Sequence, residues 1–421
     1  MAELTPRLDP AQIRQLVDGV IAQRHRYLAA LEQEPSPLYL LDHAALAARS
    51  QRLKAAFSQA LPDVGFYYAM KSNHHSAIAA QLVHDGFGLD VSSGLELELA
   101  LGANATDIVF SGPGKRPEEL RLAVQHADRV TVLLDSFTEL GRLEALASEA
   151  QVPVRVGVRL TTQTNGLWRK FGIPLADLVR MWEAIRPSRW LRFGGLQFHT
   201  SWNRDPSAQV AFLVELGEAL AAAPAELRAA IGFLDVGGGY WPEEGEWLQP
   251  AGTAEGRLRA AAGELASAED PLAHHALPAA PIEDYAAAVA EAVRTHLSAV
   301  APLRICIEPG RWLCHGAMHL LLTVLDRKPP DLVITDAGTN AIGWERFETD
   351  YFPVINLSHP SDHEHPCLVL GSLCTPHDVW GYACFGEPPD MGDVLLIPNQ
   401  GAYTYSLRQQ FIKPLPGVVS L

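Results

Sequence analysis

Eight short apolar runs in the chain each stop at, or within a residue or two of, a polar or glycine residue able to do chemistry. In chain order these are Lys71, Asp90, Ser111, Asp135, Arg159, His199, the triplet Gly237-Gly238-Gly239, and Glu308. Barrels of eight parallel strands gather their reactive groups where the strands end, so this regularity brings all eight to one face. A lysine there can condense with a carbonyl, and a carboxylate can hold a proton or a cation beside it. Three glycines after Leu234-Asp235-Val236 let backbone N–H groups approach an anion closely, phosphate being the natural guest. The same run also serves as a tight strand-to-helix turn. Glu308-Pro309-Gly310-Arg311 puts a guanidinium three residues after a carboxylate, fit to grip phosphate or to form a surface ion pair.

The elements that must position these groups alternate along the chain. Strands are expected at 65–70, 88–91, 107–111, 130–134, 154–160, 194–199, 231–236 and 304–308, with helical stretches such as Ser76 to His84, Gly94 to Leu101, Pro117 to His126 and Ser136 to Ala150 between them. Ahead of them, apolar residues at Ile13, Leu16, Val17, Val20 and Ile21 predict an amphipathic helix from about Asp9 to Glu34, ended by Pro35 and Pro37, and Leu38 to Leu41 predicts a short strand. Residues 243–280 are rich in Ala, Glu, Gly and Pro and offer no good strand, which predicts a solvent-exposed insertion with one or two short helices. From about Leu320 the pattern turns to short β-like runs, Leu320 to Leu325, Leu332 to Thr335, Cys367 to Leu370 and Val394 to Pro398. The expected fold is α/β: a (β/α)8 TIM barrel over 43–317 with an insertion near 243–280, plus a mostly-β domain, sandwich-like or barrel-like, from 1–42 and 318–421.

At 421 residues, 48% hydrophobic and 19% charged, the chain can bury a core of roughly two domains. Its formal net charge of -16 and the lack of a basic stripe argue against nucleic acid as a partner. No apolar run approaches the roughly 18 residues of a membrane span, and the first residues lack the pattern of a leader, so a cytoplasmic location and no membrane partner are expected. Five cysteines, Cys306, Cys314, Cys367, Cys374 and Cys384, without CxxC spacing suggest free thiols in a reducing compartment, with no metal site expected.

A lysine amine, a carboxylate suited to a pyridinium nitrogen and a glycine and arginine cradle are together what a barrel needs to hold pyridoxal 5'-phosphate. The segments Tyr68-Ala69-Met70-Lys71-Ser72-Asn73 and Gly86-Phe87-Gly88-Leu89-Asp90-Val91-Ser92-Ser93-Gly94-Leu95-Glu96-Leu97 closely resemble the diaminopimelate and ornithine decarboxylase family, whose barrel is alanine racemase-like. Phe110-Ser111-Gly112-Pro113-Gly114-Lys115, Lys170-Phe171-Gly172, Glu308-Pro309-Gly310-Arg311 and Gly401-Ala402-Tyr403-Thr404 extend the resemblance from 68 to 404 in the family's order. It implies that Lys71 attaches the cofactor as a Schiff base, that His199 stacks on its ring, and that Glu308 pairs with the pyridine nitrogen. Asp90 and Arg159 would support that network, and Gly238, Gly239, Gly310, Arg311 and Tyr403 would bind the phosphate. It further implies a homodimer with shared active sites, in which Cys374 of one chain enters the other's site to return a proton, and Asp378 meets Lys170 of the other subunit. The implied activity is decarboxylation of an amino acid. A racemase or epimerase on the same scaffold, which tends to carry an arginine where Glu308 stands, and a catalytically idle regulator are the alternatives; intact Lys71, Glu308 and Cys374 argue against the latter.

Two departures bear on substrate. The family carries an acidic residue directly after the cysteine to receive a distal ammonium, whereas here Thr375 follows Cys374. The form Cys-Thr-Pro-x-Asp resembles decarboxylases of biosynthetic clusters, some acting on carrier-linked or conjugated amino acids. In His199-Thr200-Ser201-Trp202 the usual glycine-serine pair is missing, leaving Ser201 as a phosphate contact and Trp202 to narrow the pocket. Asp350 or Glu348 could replace the missing substrate-binding charge.

Overall fold

The computed structural model describes residues 5–263, 271–297, 300, 303–343 and 349–421. The chain divides into two compact units, one of Met1–Leu46, Pro242–Ala279 and Cys314–Leu421, the other of Ala47–Trp241 and Ala280–Leu313.

In the second unit eight parallel strands close into a barrel: Val64–Ala69, Gly88–Val91, Ile108–Phe110, Val130–Leu134, Val154–Leu160, Leu191–Phe198, Phe233–Gly238 and Arg304–Glu308. All eight expected strands are present, and the last closes the ring between the seventh and the first. Burial on both faces explains why these strands read as continuous apolar runs: Val130–Leu134 is buried at every position. Tyr67, Val109, Leu133 and Cys306 fill the interior with Phe233 against them.

The intervening helices begin where side chains can satisfy their first N–H groups. Ser93 caps Gly94–Gly102 by accepting from Glu96 N, and Ser136 caps Phe137–Ala150 by accepting from Glu139 N. Glu139 then spends its carboxylate elsewhere, on Lys115, at 2.7 Å, with both side chains 1% exposed. The Lys115 ammonium also donates to the Leu133 carbonyl at 2.8 Å, tying the loop after the third strand to the fourth. Burial, opposed by Glu139, pulls the Lys115 pKa down.

In the first unit the amphipathic segment is split. Pro10–Ala22, capped by Asp9, and Arg24–Ala29 are separate helices that part at Gln23. Ile13, Val17 and Val20 face a core with Leu38, Leu40, Leu321, Ile355 and Leu396. An eight-stranded mixed sheet runs in the order Leu332–Thr335, Glu364–Leu370, Val379–Phe385, Ile355–Asn356, Val394–Ile397, Met318–Lys328, Leu38–Leu41, Gly417–Ser420, and Leu332–Thr335 also pairs with Met318–Lys328.

The stretch after the seventh barrel strand differs from expectation. Glu246–Leu248 and His275–Leu277 form a small antiparallel pair around the helix Ala254–Ala261, and Leu248, Ala273 and His274 are buried rather than exposed. Three-residue strands are too short to show alternation, and Trp247 and Ala276 pack on the same core as the N-terminal helices.

Removing one member of the Lys115–Glu139 pair leaves the other charge buried. Lys115→Met is expected to cost about 3–5 kcal/mol, and Lys115→Met with Glu139→Leu to regain most of it. Urea unfolding of both variants checks this; equal losses would show that the pair itself holds the loop.

Candidate active site

Lys71 sits in the single turn Met70–Ser72 that follows the first barrel strand, its side chain 34% exposed. Its ammonium lies 3.0 Å from Asp90 Oδ2 at the end of the second strand. Asp90 is fully buried, and its other oxygen accepts from the Ser111 hydroxyl. The Ser111 carbonyl in turn accepts from Arg159 Nη1 at 2.6 Å, and the guanidinium lies over the Phe171 ring at 4.7 Å. The ends of four strands are thereby linked in one polar chain.

The last three strands supply the other half. Gln197 Nε2 donates to Glu308 at 3.3 Å, and His199 Nδ1 lies 3.7 Å from the same carboxylate. Nδ1 accepts from Gly238 N at 3.2 Å, and burial, then Lys71 and Arg159, hold the His199 pKa well below its usual range, so the ring is a neutral imidazole. Asp235, buried on the seventh barrel strand, accepts from Gly237 N at 2.9 Å. Burial first, then Asp235 and Asp90, pushes the Glu308 carboxyl well above the usual carboxylate range. Burial likewise pushes Asp235 up to about 7.

The glycine triplet is needed where it stands. A Cβ on Gly238 would lie 1.9 Å from the Glu308 carbonyl, and Gly237 and Gly239 take φ of +69° and +80°. The loop after His199 runs alongside: Asn203 N donates to the Gly239 carbonyl at 3.0 Å, which sets Ser201 beside Gly239. Gly310 packs against the turn that carries Lys71, since its Cβ would meet Ser72 Oγ at 2.9 Å. The Arg311 guanidinium lies 4.2 Å over the Trp241 ring and 5.8 Å from that of Trp202, two indoles stacked at 5.4 Å. Trp202 is 61% exposed at φ +56°.

Lys71, Asp90, Arg159, His199, Ser201, Gly238, Gly239, Glu308, Gly310 and Arg311 thus belong to the barrel unit. Cys374, Thr375, Asp350 and Tyr403 belong to the other unit. There Cys374 is exposed, Thr375 is half-buried and accepts from His377 N at 3.4 Å, and Tyr403 is half-buried at φ +57°. Asp350 is half-buried and bridges to Leu248, while Glu348 lies outside the described residues. Asp378 is buried within the single chain and accepts from Thr339 N, Thr339 Oγ1 and Leu373 N at 2.7, 3.0 and 2.6 Å, so it anchors its own loop.

Sequence reasoning gave Gln197 and Asp235 no role. The signal was present, because each is a polar residue inside an apolar strand, and Gln197 shares its strand face with His199 by the two-residue period.

The donor set fits pyridoxal 5'-phosphate on its own chemistry. A partly exposed primary amine suits the aldehyde, an under-compensated buried carboxyl suits a cationic ring nitrogen, and open glycine backbone suits a phosphate. Buried Arg159 Nε and Gln197 Oε1 have no hydrogen-bond partner among the described residues. The barrel and this site define a pyridoxal-phosphate enzyme of the barrel type.

Residues 47–315 match the profile of the pyridoxal-dependent decarboxylase pyridoxal binding domain, and the chain belongs to that family of decarboxylases. It is 26% identical over 400 residues to a diaminopimelate decarboxylase of Campylobacter jejuni, covering 90% of this chain and 89% of the relative. It is 27% identical over 398 residues to the L-glutamyl-[BtrI acyl-carrier protein] decarboxylase of Niallia circulans, covering 88% and 85%. Its fold is similar to that of diaminopimelate decarboxylase from Helicobacter pylori complexed with L-lysine, with a TM-score of 0.74, 23% identity and 94% of each chain covered.

The Asp235 carboxyl keeps its proton in the folded, cofactor-free chain between its unfolded pKa near 3.9 and about 7. The folded state therefore binds the extra proton in that window, and its contribution to stability falls as pH rises from about 4 to about 7. Asp235→Asn removes Asp235's share of the dependence, Glu308 keeping its own, so the variant should gain on the wild type through that range. Thermal melts of cofactor-free protein at stepped pH check this; parallel profiles would refute it.

Proposed function

We propose that the chain decarboxylates a conjugated amino acid, of the carrier-linked kind, in preference to a free basic diamino acid, and that it works as a homodimer in the cytoplasm. The observation that carries this is Thr375, a neutral hydroxyl where the family has an acid for a distal ammonium. The Niallia circulans relative, named for an acyl-carrier substrate, supports it. Asp350, the other candidate for that charge, has its Oδ1 engaged by Thr349 Oγ1 at 3.2 Å. Five free cysteines support a reducing compartment, and no helix among the described residues is long and apolar enough to cross a membrane.

Bound pyridoxal 5'-phosphate supplies the electron sink that takes up the pair left as carbon dioxide departs. The protein's part is orientation and proton control. Lys71 would hold the cofactor and, released from it, carry a proton on an amine kept close by Asp90. Glu308, steadied by Gln197, would hold the ring nitrogen's proton, with Asp235 behind it. The neutral His199 face would exclude water without competing for that proton. Gly238, Gly239, Ser201, Gly310, Arg311 and Tyr403 would bind the phosphate. The thiol of Cys374, exposed in a single chain, would enter the partner's site and protonate the reacting carbon.

A panel of free diamino acids and thioester- or amide-conjugated amino acids, read by carbon dioxide release, tests the substrate class. Conjugates should be preferred, and Thr375→Asp should raise kcat/KM for free diamino acids about tenfold through a new charge-assisted contact. Preference for lysine, ornithine or diaminopimelate in the wild type would overturn the assignment.

Mixing Lys71→Ala and Cys374→Ala chains tests the shared site separately. Random pairing makes half the dimers mixed, each with one intact site, so about one quarter of wild-type activity should return. Silence in verified mixed dimers would rule out sharing.

A further inference from the structure

The barrel unit has a cavity at the end opposite Lys71. It measures about 330 Å³ and lies among residues at the beginnings of the strands, within the size range of small-molecule sites. Its wall is mainly apolar, with Val109, Val156 and Phe233 lining it. Three guanidiniums, Arg155, Arg192 and Arg304, also line it, each from the first or second residue of its strand. Arg304 is balanced by Asp63 and Asp107 at 3.7 and 3.9 Å. Among the described residues, the Arg155 guanidinium donates one hydrogen bond, to the Asp128 carbonyl at 3.3 Å, and neither Arg155 nor Arg192 has a carboxylate within ion-pair distance. Asp107 and Asp235 line the cavity too, Asp107 beside Arg304, which leaves the charges of Arg155 and Arg192 at the entrance of a mainly apolar space on a chain of net charge -16.

Glycine makes the space. The register of the sixth strand slips between Val156 and Gly157, so that Phe193 and Gly195 face them and Gly194 is the extra residue. The Gly194 carbonyl accepts from Gly232 N at 2.8 Å, which pins the bulge in place. A Cβ on Gly194 would meet nothing nearer than the Phe233 ring at 3.5 Å, so a side chain there would enter the cavity without forcing the backbone.

We propose that this cavity binds a small organic carboxylate with an apolar body, the body lying against Val156 and Phe233 and the carboxylate on Arg155 and Arg192. Guanidinium geometry matches a carboxylate in a bidentate manner, and the apolar lining disfavours an inorganic anion that has no body to bury. The site is separate from Lys71 and the glycine loop; Asp235 borders both ends of the barrel, and the proposed contacts do not use it.

Calorimetric titration of the cofactor-loaded protein with phenylacetate tests it, with 2-phenylethylamine and inorganic phosphate as controls. Saturable phenylacetate binding is expected, with neither control binding comparably. Arg192→Glu, at an exposed position, should weaken it by about tenfold or more, and Gly194→Leu should abolish it, both with the cofactor's borohydride-sensitive absorbance unchanged. If Gly194→Leu melts early, Arg192→Glu still decides. Absence of saturable heat, undiminished affinity in Arg192→Glu, or phosphate binding as well as phenylacetate would overturn the proposal.

Discussion

Burial of negative charge at one end of the barrel is the constraint on which the site depends. Asp90, Asp235 and Glu308 are all buried, and an ionised carboxylate taken from water costs several kcal/mol unless partners replace the lost hydration. Asp90 has Lys71 and the Ser111 hydroxyl, and Asp235 has a backbone N–H. Glu308 has a Gln197 amide at 3.3–3.5 Å, a neutral imidazole at 3.7 Å and Asp235 as a neighbour. Burial first, then its two acidic neighbours, pushes its carboxyl well up. A cation would compensate it, and on the proposed function that cation is a protonated pyridine nitrogen. The cluster is therefore unfavourable as a structural element and favourable as half of a cofactor site.

That constraint explains what the sequence showed and what it hid. All eight barrel strands were legible because continuous burial leaves uninterrupted apolar runs, and the residues that end them are the ones the fold gathers. Lys71, Asp90, Arg159, His199 and Glu308 converge because parallel strands of one barrel end at one rim. The polar residues one step below the rim, Gln197 and Asp235, were passed over because a lone polar residue in an apolar run reads as an interruption. The helix break at Gln23 has no proline or glycine to mark it, and the Glu246–Leu248 and His275–Leu277 pair is held by contacts distant in sequence. Neither leaves a local signal.

The two ends of the barrel are built from opposite materials. At the strand ends, glycines bring backbone close to a neighbouring backbone: Gly238 lies against the Glu308 carbonyl, so no other residue fits without moving the last strand. At the strand beginnings, a Cβ on Gly194 would meet the Phe233 ring only at an ordinary 3.5 Å. The first kind of glycine fixes two strands relative to each other and so fixes His199 and Glu308. The second leaves room for a side chain, which is why substitution should be tolerated at Gly194 and not at Gly238.

Specificity is separable from this chemistry because the loop that carries Cys374 and Thr375 has its own anchor. The Asp378 carboxylate accepts three hydrogen bonds, from Leu373 N and from the N–H and hydroxyl of Thr339, and the Asp378 carbonyl accepts from Gly371 N. Charge-assisted bonds to a buried carboxylate hold a turn more firmly than neutral ones. Positions 374 and 375 can then project from a fixed base, and Thr375 uses its own hydroxyl only weakly, toward His377 N at 3.4 Å. An acidic side chain at 375 would add charge without removing any bond on which the loop depends. On the proposed function, the difference between receiving an ammonium and receiving a neutral conjugate would rest on one side chain, while the carboxylate cluster of the barrel would serve the cofactor.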